Sequence, residues 1–192
     1  MGEIFLLRHL ETNNNVKGLV SGRSESEIIC NKLVGVEKIH LLHRVYSSPS
    51  ERCRETIKLL FKQFGVVVET IFDDRLLERH MGVFEEQSKN ELYETYPDYF
   101  ILRDSRIRFN PLTTPPSGES FDDFSQRIES FYMECFSNNN FDTNILICSH
   151  NQTLKRLLLF KSQKNSVELF KIGDIPNGTI GKVSQGGEFV YC

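Results

Sequence analysis

Two histidines stand where chemistry could be done. Each closes a short apolar run: Ile4-Phe5-Leu6-Leu7 ends on Arg8-His9, and Ile145-Leu146-Ile147-Cys148-Ser149 ends on His150. Unbroken apolar runs of strand length read as strands covered on both faces, as in a parallel sheet. The carboxyl ends of such strands open into the crevice where ligands bind, which puts Arg8 and His9 at its mouth. Taken singly, the pair is also compatible with the plain point where a buried strand reaches water. The recurrence at His150 argues for a site, because two strands of one sheet can bring the histidines together. An imidazole can attack as a nucleophile, and a guanidinium fork matches the oxygens of phosphate.

A second arginine has an unusual place. Ser48-Pro49-Ser50-Glu51 predicts a helix start, with Ser48 as N-cap, Pro49 at the first helical position and Glu51 closing a capping box. Cys53, Ile57, Leu60, Phe61 and Phe64 follow at helical spacing. Arg52 then falls in the first turn, where a cation opposes the helix dipole. An anion bound at that helix end gives a reason for it, since the free N–H groups there favour phosphate. The plainer reading is one more surface arginine. Glu78 sits in the charged run from Asp73-Asp74-Arg75 to Glu78-Arg79-His80, and reads as a functional acid or as a solvated loop carboxylate. Cys148, inside its apolar run, is expected to be a packed core thiol. A zinc site on His9, His80 and His150 lacks close ligand spacing, so no metal and no cofactor is expected.

The rest of the chain must position these groups. Thr12 to Ser26 is a polar loop with Asn13-Asn14-Asn15 and the glycines Gly18 and Gly22. From Ile28 onward, Ile29, Leu33, Val36 and His40 approximate one face of a helix, and Arg44 to Ser47 and Val66 to Ile71 read as strands. Residues 72–118 are irregular to helical, rich in aromatic residues (Tyr93, Tyr96, Tyr99, Phe100) and in arginines (Arg103, Arg106, Arg108). This stretch is expected to lie over the crevice as a cap facing the substrate. Phe121, Phe124, Ile128, Phe131 and Cys135 mark a helix, as do Leu154, Leu157 and Leu158. Asn177-Gly178 and Gly186-Gly187 predict short strands joined by tight turns.

With 192 residues the chain suits one domain, residues 1–192, and has no long Pro/Gly/Ser linker and no internal repeat. A net charge of -3 gives no reason to expect nucleic acid, and no Lys/Arg run points to a membrane surface. No apolar stretch approaches the ~20 residues a bilayer span needs. The N-terminus carries no secretion signal pattern. Five cysteines at scattered spacings, without a Cys-x-x-Cys pair, argue against a disulfide framework and for a reducing, cytoplasmic setting.

Four segments together carry a resemblance. Leu7-Arg8-His9-Leu10-Glu11-Thr12, Ser47-Ser48-Pro49-Ser50-Glu51-Arg52, Leu77-Glu78-Arg79-His80-Met81-Gly82 and Cys148-Ser149-His150 resemble, in order, the four signature segments of the histidine phosphatase superfamily, the phosphoglycerate mutase-like proteins. Pro116-Ser117-Gly118-Glu119-Ser120 is similar to that family's Pro-x-Gly-Glu-Ser turn. The resemblance implies an α/β fold, a three-layer α/β/α sandwich with a central, mostly parallel sheet. It implies metal-independent hydrolysis of a small phosphorylated metabolite such as a sugar phosphate. His9 would be the nucleophile, Glu78 the proton donor, and Arg8, Arg52 and His150 the groups that hold the transferring phosphate. Asn15, Ser21, Gly22, Arg103, Asn151 and Lys155 fall at substrate-binding positions.

The chain also departs from the pattern. Leu10 stands where glycine is usual after the nucleophile, so its side chain must point away or crowd the pocket. Asn151 and Gln152 replace small residues, Leu19 a basic one, and Lys89 a tyrosine of the fructose-2,6-bisphosphatase domains, the branch most similar overall. Phosphoglycerate mutase-type phosphoryl transfer, phosphoprotein dephosphorylation and a catalytically weak phosphate-binding module stay open as alternatives. The oligomeric state is not legible.

Overall fold

A computed structural model describes residues 2–35, 42–65, 67–103, 105–136, 143–162, 172–184 and 186–192, with the backbone alone for Arg103. Six strands form one sheet in the order β3-β2-β6-β1-β7-β8. They are β1 (Ile4–Arg8), β2 (Leu42–Ser47), β3 (Thr70–Phe72), β6 (Asn144–Ser149), β7 (Ile180–Val183) and β8 (Phe189–Tyr191). The first four run parallel; β7 is antiparallel to β1, and β8 to β7.

Alternation along β1 decides which layer each residue joins. Phe5 and Leu7 pack with Val45, Leu146 and Cys148 against Cys53, Ile57 and Leu60 of α2 (Glu51–Phe64). Ile4 and Leu6 point the other way, with Ile145 and Ile147, onto Phe124, Ile128 and Phe131 of α4 (Phe121–Phe136) and Leu154 and Leu158 of α5 (Asn151–Lys161). Helices on both faces of the sheet make the three-layer α/β/α arrangement that the resemblance implies. Each fully buried Leu or Phe contributes about 1.5–3 kcal/mol, so the two layers hold the central strands firmly.

A third apolar cluster lies apart from the sheet. Val20, Met81, Phe84, Leu92 and Phe100 are buried in it, with Tyr93, Tyr99, Ile107 and Phe109 packed around them. It joins α3 (Lys89–Thr95) to a hairpin of β4 (Phe100–Arg103) and β5 (Arg106–Phe109). The hairpin was not expected from sequence, where this stretch reads as irregular to helical.

Three other expectations change. The helix predicted from Ile28 does not form over the described residues: Ile28 bridges Thr12 and Val34 bridges Thr179, so this segment is tied as extended chain to its neighbours. Val36 and His40 lie outside the described residues. The strand predicted from Val66 is confined to Thr70–Phe72, beside the Val45–Ser47 end of β2; Val66 itself is not described. The helix after Ser48 starts at Glu51 with Ser50 as N-cap and no side-chain cap bond. Ser48 stands two residues before that cap, where its hydroxyl accepts from the Ser50 N–H at 3.4 Å, donates to Ser50 Oγ at 3.3 Å and lies 3.0 Å from His150 Nε2.

Candidate active site

Register places the two histidines side by side. In the parallel β1/β6 pair Arg8 stands opposite Ser149, so His9 and His150 follow at neighbouring strand ends. The His9 N–H donates to Ser149 O at 3.0 Å, and the two imidazole rings lie 5.2 Å apart, edge to face. Both are almost fully buried. Burial, with Arg52 and Arg8 nearby, pushes His9 well below the usual histidine range; burial, Arg52 and His9 do the same to His150. Both rings are therefore neutral near pH 7.

Hydrogen bonds set the tautomers. His9 Nδ1 is 2.7 Å from the Leu10 carbonyl oxygen, which can only accept, so Nδ1 carries the proton and Nε2 keeps its lone pair. Arg52 Nε donates to His150 Nδ1 at 3.2 Å, so the His150 proton resides on Nε2, facing Ser48 Oγ. Arg52 is 2% exposed, and its two terminal nitrogens donate to Ser24 O at 2.6 Å and Gly22 O at 2.7 Å. A side chain at Gly22 would be strained, since its φ is +51°, and would displace the Glu85 carboxylate, whose Oε1 lies 2.2 Å from where a Cβ would stand. Arg8 donates from Nη1 to Ile175 O at 2.7 Å, while its buried Nε has no partner among the described residues.

Glu78 is held from several sides. Its Oε1 accepts from the Arg79 N–H at 3.0 Å and Thr153 Oγ1 at 3.3 Å, and its Oε2 from the Gln152 N–H at 3.2 Å. Two further arginines anchor the surrounding loop. Arg79, fully buried, donates to the carbonyls of Glu119, Pro111 and Thr113 at 3.0, 2.8 and 2.7 Å. Arg127 grips the Glu119 carboxylate and the carbonyls of Arg75, Leu77 and Glu78. Glu78 is thus built in rather than solvated, at 9% exposure.

Arg8, His9, Asn15, Ser21, Gly22, Arg52, Glu78, His150, Asn151 and Lys155 all line one cleft of about 210 Å³. Asn15 Oδ1 is spent on Thr12 and Asn177, which leaves its Nδ2 as a donor toward the cleft. Arg103 is the exception among the sequence candidates: it ends β4, opposite Arg106, and its side chain lies outside the described residues. Arg108, two residues along β5 from Arg106 and so on the same face, lines the cleft.

Leu10 does not crowd the cleft. It is 1% exposed and does not line the cleft, its Cδ2 lying 2.9 Å from where a Cβ on Gly178 would stand. Sequence reasoning also passed over Lys89, Arg108 and Asp174 as site residues, all three of which line the cleft. It likewise passed over Asn177, whose amide donates to His9 O at 3.0 Å and fixes the end of β1. A turn signal at Asn177-Gly178 was the only trace of it. Among the described residues no group of three or more His, Cys, Asp or Glu is arranged to hold a metal ion, and none of the helices is long and apolar enough to cross a membrane.

Comparison with known proteins matches residues 4–188 to the family model of the histidine phosphatase superfamily (branch 1). The chain is 27% identical to "Putative phosphoserine phosphatase 2" of Hydrogenobacter thermophilus, over 98% of this chain and 92% of that protein. It is 32% identical to the 6-phosphofructo-2-kinase/fructose-2,6-bisphosphatase of Gallus gallus over 86% of this chain, and spans 34% of that longer protein. Among solved structures, Bacillus stearothermophilus YhfR superposes with a TM-score of 0.78 at 24% identity, covering 100% of this chain and 95% of that one. Mycobacterial glucosyl-3-phosphoglycerate phosphatase Rv2419c gives 0.76 at 20% identity, covering 96% and 93%.

Proposed function

The chain belongs to the histidine phosphatase superfamily, and from that premise we propose that this phosphatase hydrolyses small phosphomonoesters through a phosphohistidine on His9. The observation that carries the reading is the His9 tautomer. With Nδ1 donating to Leu10 O, Nε2 is the nitrogen left to attack, and burial between two guanidinium groups keeps it unprotonated.

The chemistry follows in two steps. The Nε2 lone pair attacks phosphorus in line, and the bond from phosphorus to the ester oxygen breaks as that oxygen takes a proton from Glu78. Water then attacks the phosphohistidine, gives its proton to the Glu78 carboxylate, and the N–P bond breaks to release phosphate. Arg8 and Arg52 balance the charge on the phosphoryl oxygens, the part that magnesium plays in kinases, and His150 joins them by sharing its Nε2–H between Ser48 Oγ and a phosphoryl oxygen. Arg8 Nε, buried and without a partner among the described residues, can donate to such an oxygen. Asn15, Ser21, Gly22, Asn151 and Lys155 line the same cleft and would contact the substrate there. We read the chain as one domain in which residues from about 72 to 118 act as a cap, supported by the aromatic cluster that walls the cleft. Five free cysteines fit a reducing cytoplasm.

The decisive measurement is phosphate release from p-nitrophenyl phosphate and a panel of sugar and glycerate phosphates in the presence of EDTA, wild type beside His9→Ala. Release by wild type that drops by about a thousandfold or more in His9→Ala is expected. Release that survives His9→Ala, or that EDTA abolishes, overturns the mechanism.

A further inference from the structure

Away from His9, the cleft carries a charged cluster that the reaction does not use. Lys155 reaches it from α5, Arg108 from β5, Lys89 from the start of α3, and Asp174 from the loop before β7. Asp174 Oδ1 accepts from Asn151 Nδ2 at 2.9 Å and from Lys155 Nζ at 3.0 Å. Its Oδ2 lies 3.5 Å from Arg108 Nη2 and 4.0 Å from Arg106 Nη1. Burial works against ionising Asp174, yet Lys155, Asn151 and Arg108 together bring it down to about 2, so it is charged throughout the neutral range. Lys89 Nζ, by contrast, has no hydrogen bond or ion pair among the described residues, and Arg108 Nε is buried without a partner.

A carboxylate in this place does what a ligand's second anion would do: it takes the Lys155 ammonium and stands against Arg108. Ile175, the next residue, accepts from Arg8 Nη1, so the cluster lies within a small molecule's length of the phosphate end. We propose that Asp174 is a specificity-determining residue that occupies the place of a second substrate phosphate between Lys155 and Arg108, tuning the cleft to phosphomonoesters whose far end is neutral or carries a single carboxylate. The donors left over, Lys89 Nζ and Arg108 Nε, suit hydroxyls or one carboxylate. A second phosphate would meet the fixed Asp174 charge at close range, and such a repulsive element discriminates between ligands that otherwise fit. The inference rests on the reading that the cleft takes a phosphate ester at His9.

Binding in a background without turnover tests it. Calorimetry would compare glycerol phosphate, 3-phosphoglycerate and fructose 1,6-bisphosphate on three proteins: His9→Ala, His9→Ala with Asp174→Asn, and His9→Ala with Asp174→Glu. The His9→Ala protein is expected to favour the first two ligands. Asp174→Asn should raise the relative affinity for the bisphosphate about tenfold or more, and Asp174→Glu should leave the ratio near its original value. An unchanged ratio in Asp174→Asn, equal weakening of all three ligands, a bisphosphate preference with Asp174 intact, or no binding of any ligand overturns the proposal. Wild-type release from p-nitrophenyl phosphate is measured alongside. Its absence would remove the phosphatase reading, while the binding ratio still decides the role of Asp174.

Discussion

Arg52 Nε donates to His150 Nδ1 at 3.2 Å, so one guanidinium sets the protonation of the histidine beside it while its other nitrogens hold the loop carbonyls of Gly22 and Ser24. A lysine cannot reproduce this three-way fork. Arg52→Lys is expected to lower kcat/KM by about a hundredfold or more, with little recovery over Arg52→Ala. Steady-state kinetics on p-nitrophenyl phosphate checks this, and a lysine variant within a few fold of wild type would contradict it. Ser48→Ala, which removes the nearer acceptor for the Nε2 proton and leaves Ser50 Oγ at 3.4 Å, should cost less, about tenfold.

The two buried histidines make stability depend on pH in a defined direction. Both have lowered values in the folded state, so the unfolded chain binds protons below about 6.5 that the folded chain excludes. Stability is therefore fully present above that pH and falls as the pH drops through the window beneath it, by up to about 1.4 kcal/mol per pH unit for each ring. Urea midpoints between pH 7.5 and 5 should decline with a slope that is shallower in His150→Gln. A flat profile over that range would count against neutral rings in the fold.

Leu10 and Gly178 form a matched pair at the back of the nucleophile. A Cβ at position 178 would lie 2.6 Å from Lys32 O and 2.9 Å from Leu10 Cδ2, on a residue with φ of +66°. Gly178→Ala is expected to destabilise by about 2 kcal/mol or more. Leu10→Ala should cost about 2–5 kcal/mol by cavity formation, yet leave kcat of the folded protein within a few fold. Thermal melts and kinetics at a temperature where both proteins are folded separate the two effects. A large gain in kcat on Leu10→Ala would mean that the side chain does crowd the site.

Arg79 holds three carbonyls of the 111–119 loop while its burial lowers it to about 10. Arg79→Met leaves those carbonyls without a donor and is expected to cost about 3 kcal/mol. Because the same segment positions Glu78, kcat should fall with it. Chemical denaturation beside kinetics is the check, and an unchanged midpoint would show that water replaces the guanidinium.

What could be read from sequence follows a physical division. β1 and β6 were legible because an apolar run that stops on Arg8-His9 or on His150 signals both a buried strand and its open end. Arg52 and Glu78 were legible as members of ordered segments. Lys89, Arg108 and Asp174 were not, because they come from α3, β5 and a loop, and only the hairpin of Phe100–Arg103 with Arg106–Phe109 decides that Arg108 lines the cleft. The helix expected from Ile28 does not form over the described residues, for a related reason. Its spacing was helical, but long-range bridges from Ile28 to Thr12 and from Val34 to Thr179 outweigh a local preference.

His9 and His150 are partners only because Arg8 pairs with Ser149, and the Asn177 amide then clamps the same strand end. The strand that aligns His9 lies some 140 residues further along the chain, and the clamping Asn177 lies 168 residues further along. The two histidines therefore meet only through contacts of long sequence separation, which carry the largest loop-closure cost in folding. The geometry at the strand ends is thus a property of the assembled sheet, with β1 held between β6 and β7, and of no segment alone.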